Sequence, residues 1–117
     1  GNSFSVDNGY NETMAAFKAG CRPDAIFAFS TTILLGVIKA LRELDKRIPD
    51  DVAVISFDNN RFLDYLDPSV TRVEQPVSVI GKSVADDIVT MVESDDRESL
   101  PQSQMLIRPV LIEGRSC

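Results

Sequence analysis

The sequence contains no histidine, and its two cysteines, Cys21 and Cys117, lie far apart without a CxxC spacing. Because histidine and clustered cysteines supply most zinc ligands, a metal site has little support in this composition. The chain also lacks the GxSxG nucleophile elbow, the P-loop and the GxGxxG dinucleotide motif. With no histidine for general acid–base work either, we expect no catalytic residue, no metal and no cofactor, and therefore not an enzyme.

Positive charge and long apolar runs are also scarce. The chain has 12 lysines and arginines against 18 aspartates and glutamates, a formal net charge of −6. Since non-specific binding to nucleic acid depends largely on lysine and arginine neutralising phosphates, this balance argues against direct DNA contact by this chain. The apolar run over 25–38 is interrupted by hydroxyl residues and is too short to cross a bilayer. We expect no membrane association, and two free thiols fit the reducing cytoplasm.

What the sequence does contain is an alternation of helical and strand patterns, with enough hydrophobic residues for one domain with a buried core. Ser5 is positioned to cap a first helix whose apolar face is Tyr10, Met14 and Phe17, and Gly20 ends that helix. The elements predicted next are a strand over 25–29, a helix over 33–44, a strand over 52–57, a loop and short helix over 59–66, a strand over 70–75, a helix over 77–92, a polar loop over 94–104 and a strand over 105–112. This alternation predicts an α/β fold, a three-layer α/β/α arrangement with a mostly parallel sheet.

Two of the predicted strands have the pattern of fully buried strands. Residues 25–29 and 52–57 are almost unbroken apolar runs, which are typical of strands buried on both faces of a parallel sheet. Between them, Leu34, Val37 and Leu41 recur at helical spacing and predict a crossover helix. Together the three elements predict a right-handed βαβ unit.

Polar residues directly follow both of these strands. Ser30 and Asp58 would lie at the same edge of a parallel sheet, the edge where ligands bind in open α/β folds. The Asp58 carboxylate can accept paired hydrogen bonds from vicinal hydroxyls of a sugar or from ring N–H groups of a nucleobase. A turn or helix cap is an equally good interpretation of Asp58, and capping of the crossover helix is the stronger interpretation of Ser30.

The short segment over 61–66 carries four large apolar side chains, those of Phe62, Leu63, Tyr65 and Leu66. This is more than a short exposed helix needs for its attachment. Either some of these side chains fill the local core or they form part of a subunit interface, and the pattern leaves both interpretations open.

Longer motifs occur in a definite order along the chain. They are PDAIFA at 23–28, ALREL at 40–44, IPDDVAVISFDN at 48–59, YLDPSVTRVEQP at 65–76, IGK at 80–82 and IRPVLIEGRSC at 107–117. In these motifs the sequence resembles the effector-binding domain of the LacI/GalR family of transcriptional regulators, and the resemblance covers essentially the whole chain.

The resemblance implies a two-lobed domain of the periplasmic-binding-protein type. This chain would form most of its C-terminal lobe, and the helix over 77–93 would pack on a first lobe that the chain lacks. A small-molecule effector, a sugar or a nucleobase-like compound, would bind between the lobes and shift their orientation. Operator DNA would be contacted only through an absent N-terminal module, in a regulator that is a homodimer.

The same resemblance implies roles for individual residues at the effector site. Phe4 takes the place of an aromatic residue that stacks on the effector, and Asp58 that of an aspartate that contacts it. Gln75 matches a glutamine at the crossover between the lobes. Ser30 and Thr31 stand where the family usually has Asn-Asp, so the sequence departs from the family pattern at this pair.

Leu35 and the residues Phe62, Tyr65 and Leu66 fall where family dimers meet. Arg72 stands where the family usually has threonine, which puts an unexpected charge near the hinge. Two alternatives remain open: a periplasmic sugar-binding protein of a transporter, which shares the fold, and a dimerisation module that binds no ligand.

Overall fold

The computed structural model describes residues 3–93 and 104–117. The chain divides into a larger unit, which extends to Glu74 and includes Leu111–Cys117, and a smaller unit, Gln75–Val110. The elements follow the predicted order: α1 (Val6–Lys18), β1 (Ala25–Ala28), α2 (Thr31–Glu43), β2 (Ala53–Phe57), a 3₁₀ helix (Arg61–Tyr65), β3 (Thr71–Glu74), α3 (Val77–Glu93) and β4 (Val110–Ile112). The loop predicted over 94–104 lies, apart from Gln104, outside the described residues. In the described ranges, no helix has the length and apolarity needed to span a membrane.

The first helix begins and ends where its sequence signals predict. The Ser5 hydroxyl accepts a hydrogen bond from the Asn8 backbone N–H at 3.1 Å, which satisfies one of the free donors of the first turn. Gly20 has a φ of +89°, a left-handed conformation that glycine adopts without steric cost. Local capping chemistry therefore sets both ends of α1.

The buried face of α1 differs from the predicted one. Gly9, Thr13 and Phe17 are buried, whereas Tyr10 and Met14 are only half-buried. The prediction is confirmed for Phe17 and was wrong for Tyr10 and Met14, because it counted large apolar side chains while α1 presents its smallest residue, Gly9, to α2.

Two glycines bring α1 and α2 into close contact. A Cβ atom at Gly9 would lie 2.3 Å from the carbonyl oxygen of Ile33, and one at Gly36 would lie 2.1 Å from the carbonyl oxygen of Val6. Both distances are far shorter than a van der Waals contact, so the two backbones approach in a way that only glycine allows.

The four strands form one sheet in the order β1-β2-β3-β4. β1 is parallel to β2, with Ala28 opposite Ser56, and β2 is parallel to β3, with Phe57 opposite Val73. The mostly parallel α/β architecture predicted from the sequence is thus confirmed. β3 and β4 are shorter than predicted.

β1 is not buried on both faces, contrary to the prediction. It is the edge strand of the sheet within this chain, and in it only Ala28 is buried. Phe27 is 46% exposed, and Phe29, just past the strand, is 67% exposed. β2, which lies between two strands, alternates between buried and half-buried residues, so an apolar run alone did not distinguish an edge strand from an inner one.

The core lies in the larger unit and is formed by α2, the sheet and the 3₁₀ helix. Its fully buried side chains include Leu34 and Leu41 of α2, Val54 of β2, and Leu63. The C-terminal segment is attached to this core by Ser116, whose hydroxyl donates to the Val54 carbonyl at 2.5 Å and accepts from the Thr71 N–H at 2.9 Å. This buried serine joins the last residues of the chain to β2 and β3.

The smaller unit consists mainly of α3. None of its described residues is buried, and Val84 and Ile88, on the stripe predicted from the sequence, are about half exposed. Among the described residues of the smaller unit, none buries this apolar stripe. Its packing on another lobe stays a prediction.

Candidate functional site

Ser30 and Asp58 lie at one edge of the sheet. Ala28 of β1 is paired with Ser56 of β2, and Ser30 and Asp58 each come two positions later along the chain, past the end of the strand. Because the strands are parallel and in register, their carboxyl ends meet at the same edge, as predicted. The structure thus confirms the geometric part of the sequence argument.

Asp58 has an unusual backbone conformation. Its φ is +72°, in the left-handed region, and the residue is half-buried. For a residue with a side chain this conformation costs about 1 kcal/mol, and aspartate is among the few residue types that adopt it readily. The surrounding loop must therefore hold Asp58 in place.

An aromatic cluster adjoins this edge. The Phe27 ring meets the Phe29 ring at a centroid distance of 5.3 Å and the Phe57 ring at 6.4 Å, both edge to face. Phe57 directly precedes Asp58, and Phe29 directly precedes Ser30. The edge therefore combines polar side chains with aromatic surface, the combination that ligand sites for small polar molecules commonly use.

Ser30 is the N-cap of α2. Its hydroxyl oxygen accepts a hydrogen bond from the Ile33 N–H at 3.2 Å, so the capping interpretation is confirmed. A capping hydroxyl still carries a proton that it can donate to a ligand. Its contact with an effector stays a prediction.

Phe4 lines a cavity of about 590 Å³ bounded by α1, β1 and α2. Phe27 and Phe29 also line this cavity, together with the polar residues Asn8 and Thr13. Neither Ser30 nor Asp58 belongs to its wall. The structure therefore brings Phe4 to the aromatic cluster, but it does not bring Phe4, Ser30 and Asp58 into one cavity.

A polar network joins the loop after Asp58 to the 3₁₀ helix and β3. The Arg72 guanidinium forms an ion pair with Asp64 at 2.8 Å and donates from Nε to the Asn59 side-chain oxygen at 2.6 Å. Asn59 in turn donates from its amide nitrogen to Glu74 at 2.6 Å. Arg72 is only 3% exposed, so the unexpected charge that the sequence places near the hinge is buried and paired.

Sequence reasoning missed this network. Asp64 and Arg72 have opposite charges, but they are eight positions apart on different elements, and no periodic pattern relates them. Only the return of the chain from the 3₁₀ helix to β3 brings them together.

The residues predicted for a dimer interface differ in exposure. Tyr65 is 87% exposed and Leu35 is 37% exposed, whereas Phe62 and Leu66 are partly buried against the core. Leu63 is fully buried. One residue of the 3₁₀ helix therefore fills the core, while the role of the others in an interface stays a prediction.

Gln75 is the first residue of the smaller unit and is half-buried. Its predicted contact with an effector stays a prediction. Among the described residues no group of three potential metal ligands occurs, and both cysteines are exposed free thiols.

Three titratable groups among the described residues have clearly shifted pKa values, and none is at the Asp58 edge. The hydrogen bond to Asp51 raises the pKa of Arg47. A hydrogen bond to Glu43 raises the pKa of Tyr10, on the surface formed by α1 and α2. Hydrogen bonds from the side chain and the backbone N–H of Arg47 lower the pKa of Asp51 to about 2. Asp51 precedes β2 and so lies at the opposite end of that strand from Asp58.

Comparison with known proteins identifies the family. The family model for the periplasmic binding protein-like domain matches residues 1–117. The HTH-type transcriptional repressor PurR of Erwinia tasmaniensis is 31% identical over 113 residues, which are 97% of this chain and 32% of that repressor. PurR of Vibrio atlanticus is 36% identical over 77 residues, which are 66% of this chain and 23% of the repressor. The chain therefore spans about a quarter to a third of the length of these relatives.

Solved structures agree with this assignment. A LacI family transcriptional regulator from Enterococcus faecalis with bound ribose superposes with a TM-score of 0.82 at 26% identity, over 97% of this chain and 41% of that one. The lac repressor dimer bound to operator and an anti-inducer has the same fold, with a TM-score of 0.82 at 20% identity over 96% of this chain and 38% of that one. The chain belongs to the periplasmic binding protein-like domain family, and within it resembles regulators of the LacI family.

Proposed function

We propose that this chain is the ligand-sensing and dimerising part of a cytoplasmic transcriptional regulator, and that it binds a small polar molecule at the edge formed by Ser30 and Asp58. The relatives at 31–36% identity are named transcriptional repressors, which supports regulation rather than catalysis. Contact with operator DNA would then come from parts of the regulator outside this chain, because the net charge of −6 does not suit a phosphate backbone.

The observation that carries the proposal is the register of β1 and β2. It brings a carboxylate and a hydroxyl to one sheet edge, beside the edge-to-face cluster of Phe27, Phe29 and Phe57. A carboxylate accepts strong hydrogen bonds from hydroxyls or ring N–H groups, and aromatic faces cover the apolar surface of a sugar or a base. Sugars and nucleobases are therefore the ligand classes that this edge suits, and a similar regulator has been crystallised with ribose.

The mechanism that we propose is a shift between two arrangements of the lobes. A ligand that binds one arrangement more tightly than the other changes their populations by its difference in affinity. In a homodimer, such a shift changes the spacing of attached DNA-binding modules. Asp58 would contribute to this difference by hydrogen bonding to the ligand.

Isothermal titration calorimetry of the full-length regulator tests the site. The probes are ribose, other simple sugars, and the nucleobases adenine, guanine, cytosine and uracil. Asp58→Asn should weaken the binding of the active probe about tenfold or more, because a hydrogen bond to a charged group contributes about 1.5–3 kcal/mol. Asparagine tolerates a left-handed φ, so the fold should persist in this variant.

Asp67→Asn is the matched control, because Asp67 is an aspartate whose side chain is 92% exposed. It should bind the probe as the wild type does. If Asp58→Asn also bound with unchanged affinity, the proposed site would be wrong. If no probe bound to the folded wild type, a dimerisation module without ligand would become the better interpretation.

We also propose that the regulator is a homodimer that uses Leu35 and the exposed face of the 3₁₀ helix. Tyr65 is the most exposed of the predicted contact residues, so Tyr65→Ser should weaken association without disturbing the core. Sedimentation velocity of the full-length protein measures this, with the melting temperature as the check on folding. An unchanged dimer would exclude Tyr65 from the interface.

The coding sequence upstream of Gly1 distinguishes the regulator from a transporter component. We expect it to encode a helix-turn-helix. A secretion signal there would instead indicate a periplasmic sugar-binding protein.

A further inference from the structure

Arg72 is a buried cation with partners on two other parts of the chain. Burial of a charge is costly unless ion pairs and hydrogen bonds compensate for it, so the partners of such a group are held firmly. Here the partners are Asp64 of the 3₁₀ helix and Asn59 of the loop after β2. A third contact of the guanidinium, with the Val70 carbonyl at 3.2 Å, fixes it to the residue that precedes β3.

The loop that carries Asp58 is attached to β3 by two hydrogen bonds of the next residue, Asn59. The Asn59 side-chain oxygen accepts from Arg72, and its amide nitrogen donates to Glu74. These two contacts use the opposite ends of the amide and so allow only one orientation of it. Asp58, which has the left-handed conformation, is the residue directly before this doubly bonded amide.

The same loop continues directly into the 3₁₀ helix. The Asn60 side-chain oxygen caps this helix by accepting from the Phe62 N–H at 3.2 Å, and the Asn60 carbonyl accepts from the Leu63 N–H at 3.0 Å. The exposed Tyr65 lies at the end of the helix. Arg72 thus attaches the chain from Asp58 to Tyr65 to β3 at Asn59 and at Asp64, and Asn59 is attached in addition to Glu74 of the same strand.

We propose that Arg72 is a positioning residue of the effector site, which holds the Asp58 loop and the 3₁₀ helix in one arrangement. The inference rests on the proposed role of Asp58 in binding an effector. Displacement of the loop by a ligand would then be transmitted through the guanidinium to the surface that carries Tyr65. The planar fork of arginine allows Nε and Nη1 to bond different partners at fixed angles, which the single ammonium of lysine does not.

Hydrogen exchange of the full-length, unliganded protein tests the positioning role without any ligand. The variants are Arg72→Lys, which keeps the charge but removes the fork, and Asp64→Asn, which removes the charge of a partner whose side chain is about half exposed. The reporters are the amides of Phe62 and Leu63, both bonded to Asn60. In Arg72→Lys they should exchange about tenfold faster or more, since loss of the network lowers the free energy of local opening.

Arg115→Lys is the matched control. Arg115 forms an ion pair with Asp67 at 3.3 Å, but both side chains are largely exposed, so this pair should contribute little. The amide exchange rates of Arg115→Lys should match those of the wild type along the whole chain. The amides of α1 and α2 serve as the internal reference in every variant.

A second measurement connects the network to binding. With the probe that binds the wild type, Arg72→Lys should weaken affinity about tenfold although Asp58 is intact, because a loop that must be ordered on binding reduces the net affinity. Asp64→Asn should have a smaller effect in the same direction, because the bond from Arg72 to Asn59 remains. A residue that only stabilised the fold would leave the affinity of the folded protein unchanged.

Two results would overturn the inference: unchanged exchange at Phe62 and Leu63 in Arg72→Lys, or faster exchange by the same factor in α1 and α2. The second result would show a general loss of stability rather than release of the loop. If no probe bound the wild type but exchange rose selectively at the reporters, the proposed effector site would fail while the attachment of the loop by Arg72 would stand.

Discussion

Addition of one methyl group at Gly36 tests how closely α1 and α2 pack. A Cβ atom there would lie 2.1 Å from the Val6 carbonyl oxygen and 2.5 Å from the Tyr10 nitrogen. Both are backbone atoms, so no side-chain rotation can relieve the overlap. The two helices would have to separate by about 1 Å, and close-packed interiors resist such movements.

Two opposing contributions determine how much Gly36→Ala changes the free energy of unfolding. In a helix, alanine is more favourable than glycine by about 1 kcal/mol, while overpacking of a tight contact costs about 1–3 kcal/mol and occasionally more. The overlap at Gly36 is severe and involves backbone on both sides, so we place its cost at the upper end. Gly36→Ala should therefore destabilise the larger unit by about 2 kcal/mol.

Gly81 provides a matched control on another helix. A Cβ atom at Gly81 would meet no atom of the described residues within 4 Å, so Gly81→Ala should only gain helix propensity, which stabilises by about 0.5–1 kcal/mol. The two substitutions are chemically identical, but Gly36→Ala should lower the free energy of unfolding whereas Gly81→Ala should raise it.

Thermal and urea unfolding followed by far-ultraviolet circular dichroism measure both variants. Gly36→Ala should lower the melting temperature by about 6 °C or more, whereas Gly81→Ala should leave it unchanged or raise it slightly. A Gly36→Ala variant as stable as the wild type would refute the close approach of the two helices. A similar loss in both variants would show that the contact at Gly36 has no special role.

Two further changes test other parts of the larger unit. Ser116→Ala removes a buried hydroxyl that donates to the Val54 carbonyl and accepts from the Thr71 N–H. Because both backbone groups lose a partner, urea unfolding should show a free energy of unfolding that is lower by about 2 kcal/mol or more. A decrease of less than about 0.5 kcal/mol would contradict these two hydrogen bonds. Asp51 has its pKa lowered from 3.8 to about 2 by hydrogen bonds from Arg47, so its contribution to stability is present above about pH 4 and is lost as the pH falls towards 2. Between pH 4 and pH 2, the melting temperature of Asp51→Asn should therefore fall less than that of the wild type. If the melting temperatures of the two proteins fell in parallel with pH, Asp51 would not be the group responsible.

The agreement between sequence and structure is best where the signals are local. Ser5 and Ser30 cap α1 and α2 because a hydroxyl reaches a backbone N–H three residues along the same chain. Gly20 ends α1 because a left-handed residue is needed there. Such signals depend on no other element, so they can be predicted from the sequence alone.

Agreement is poorer where burial depends on neighbours. The apolar run of β1 has the pattern of an inner strand, yet the position of β1 at the edge of the sheet leaves Phe27 and Phe29 exposed. Likewise, the apolar count on α1 favours Tyr10 and Met14, whereas the close approach of α2 makes Gly9 a contact residue. The hydrophobicity of a residue does not reveal which surface will cover it.

The sequence by itself determined the order of the elements, the caps of the first two helices and the positions of Ser30 and Asp58 after their strands, because each depends on residues close together in the chain. Only the tertiary structure decided that β1 and β2 are adjacent and in register, and that Arg72 is buried between Asn59 and Asp64. Those contacts join residues from different elements, and their geometry follows from how the sheet and helices pack rather than from any spacing along the chain.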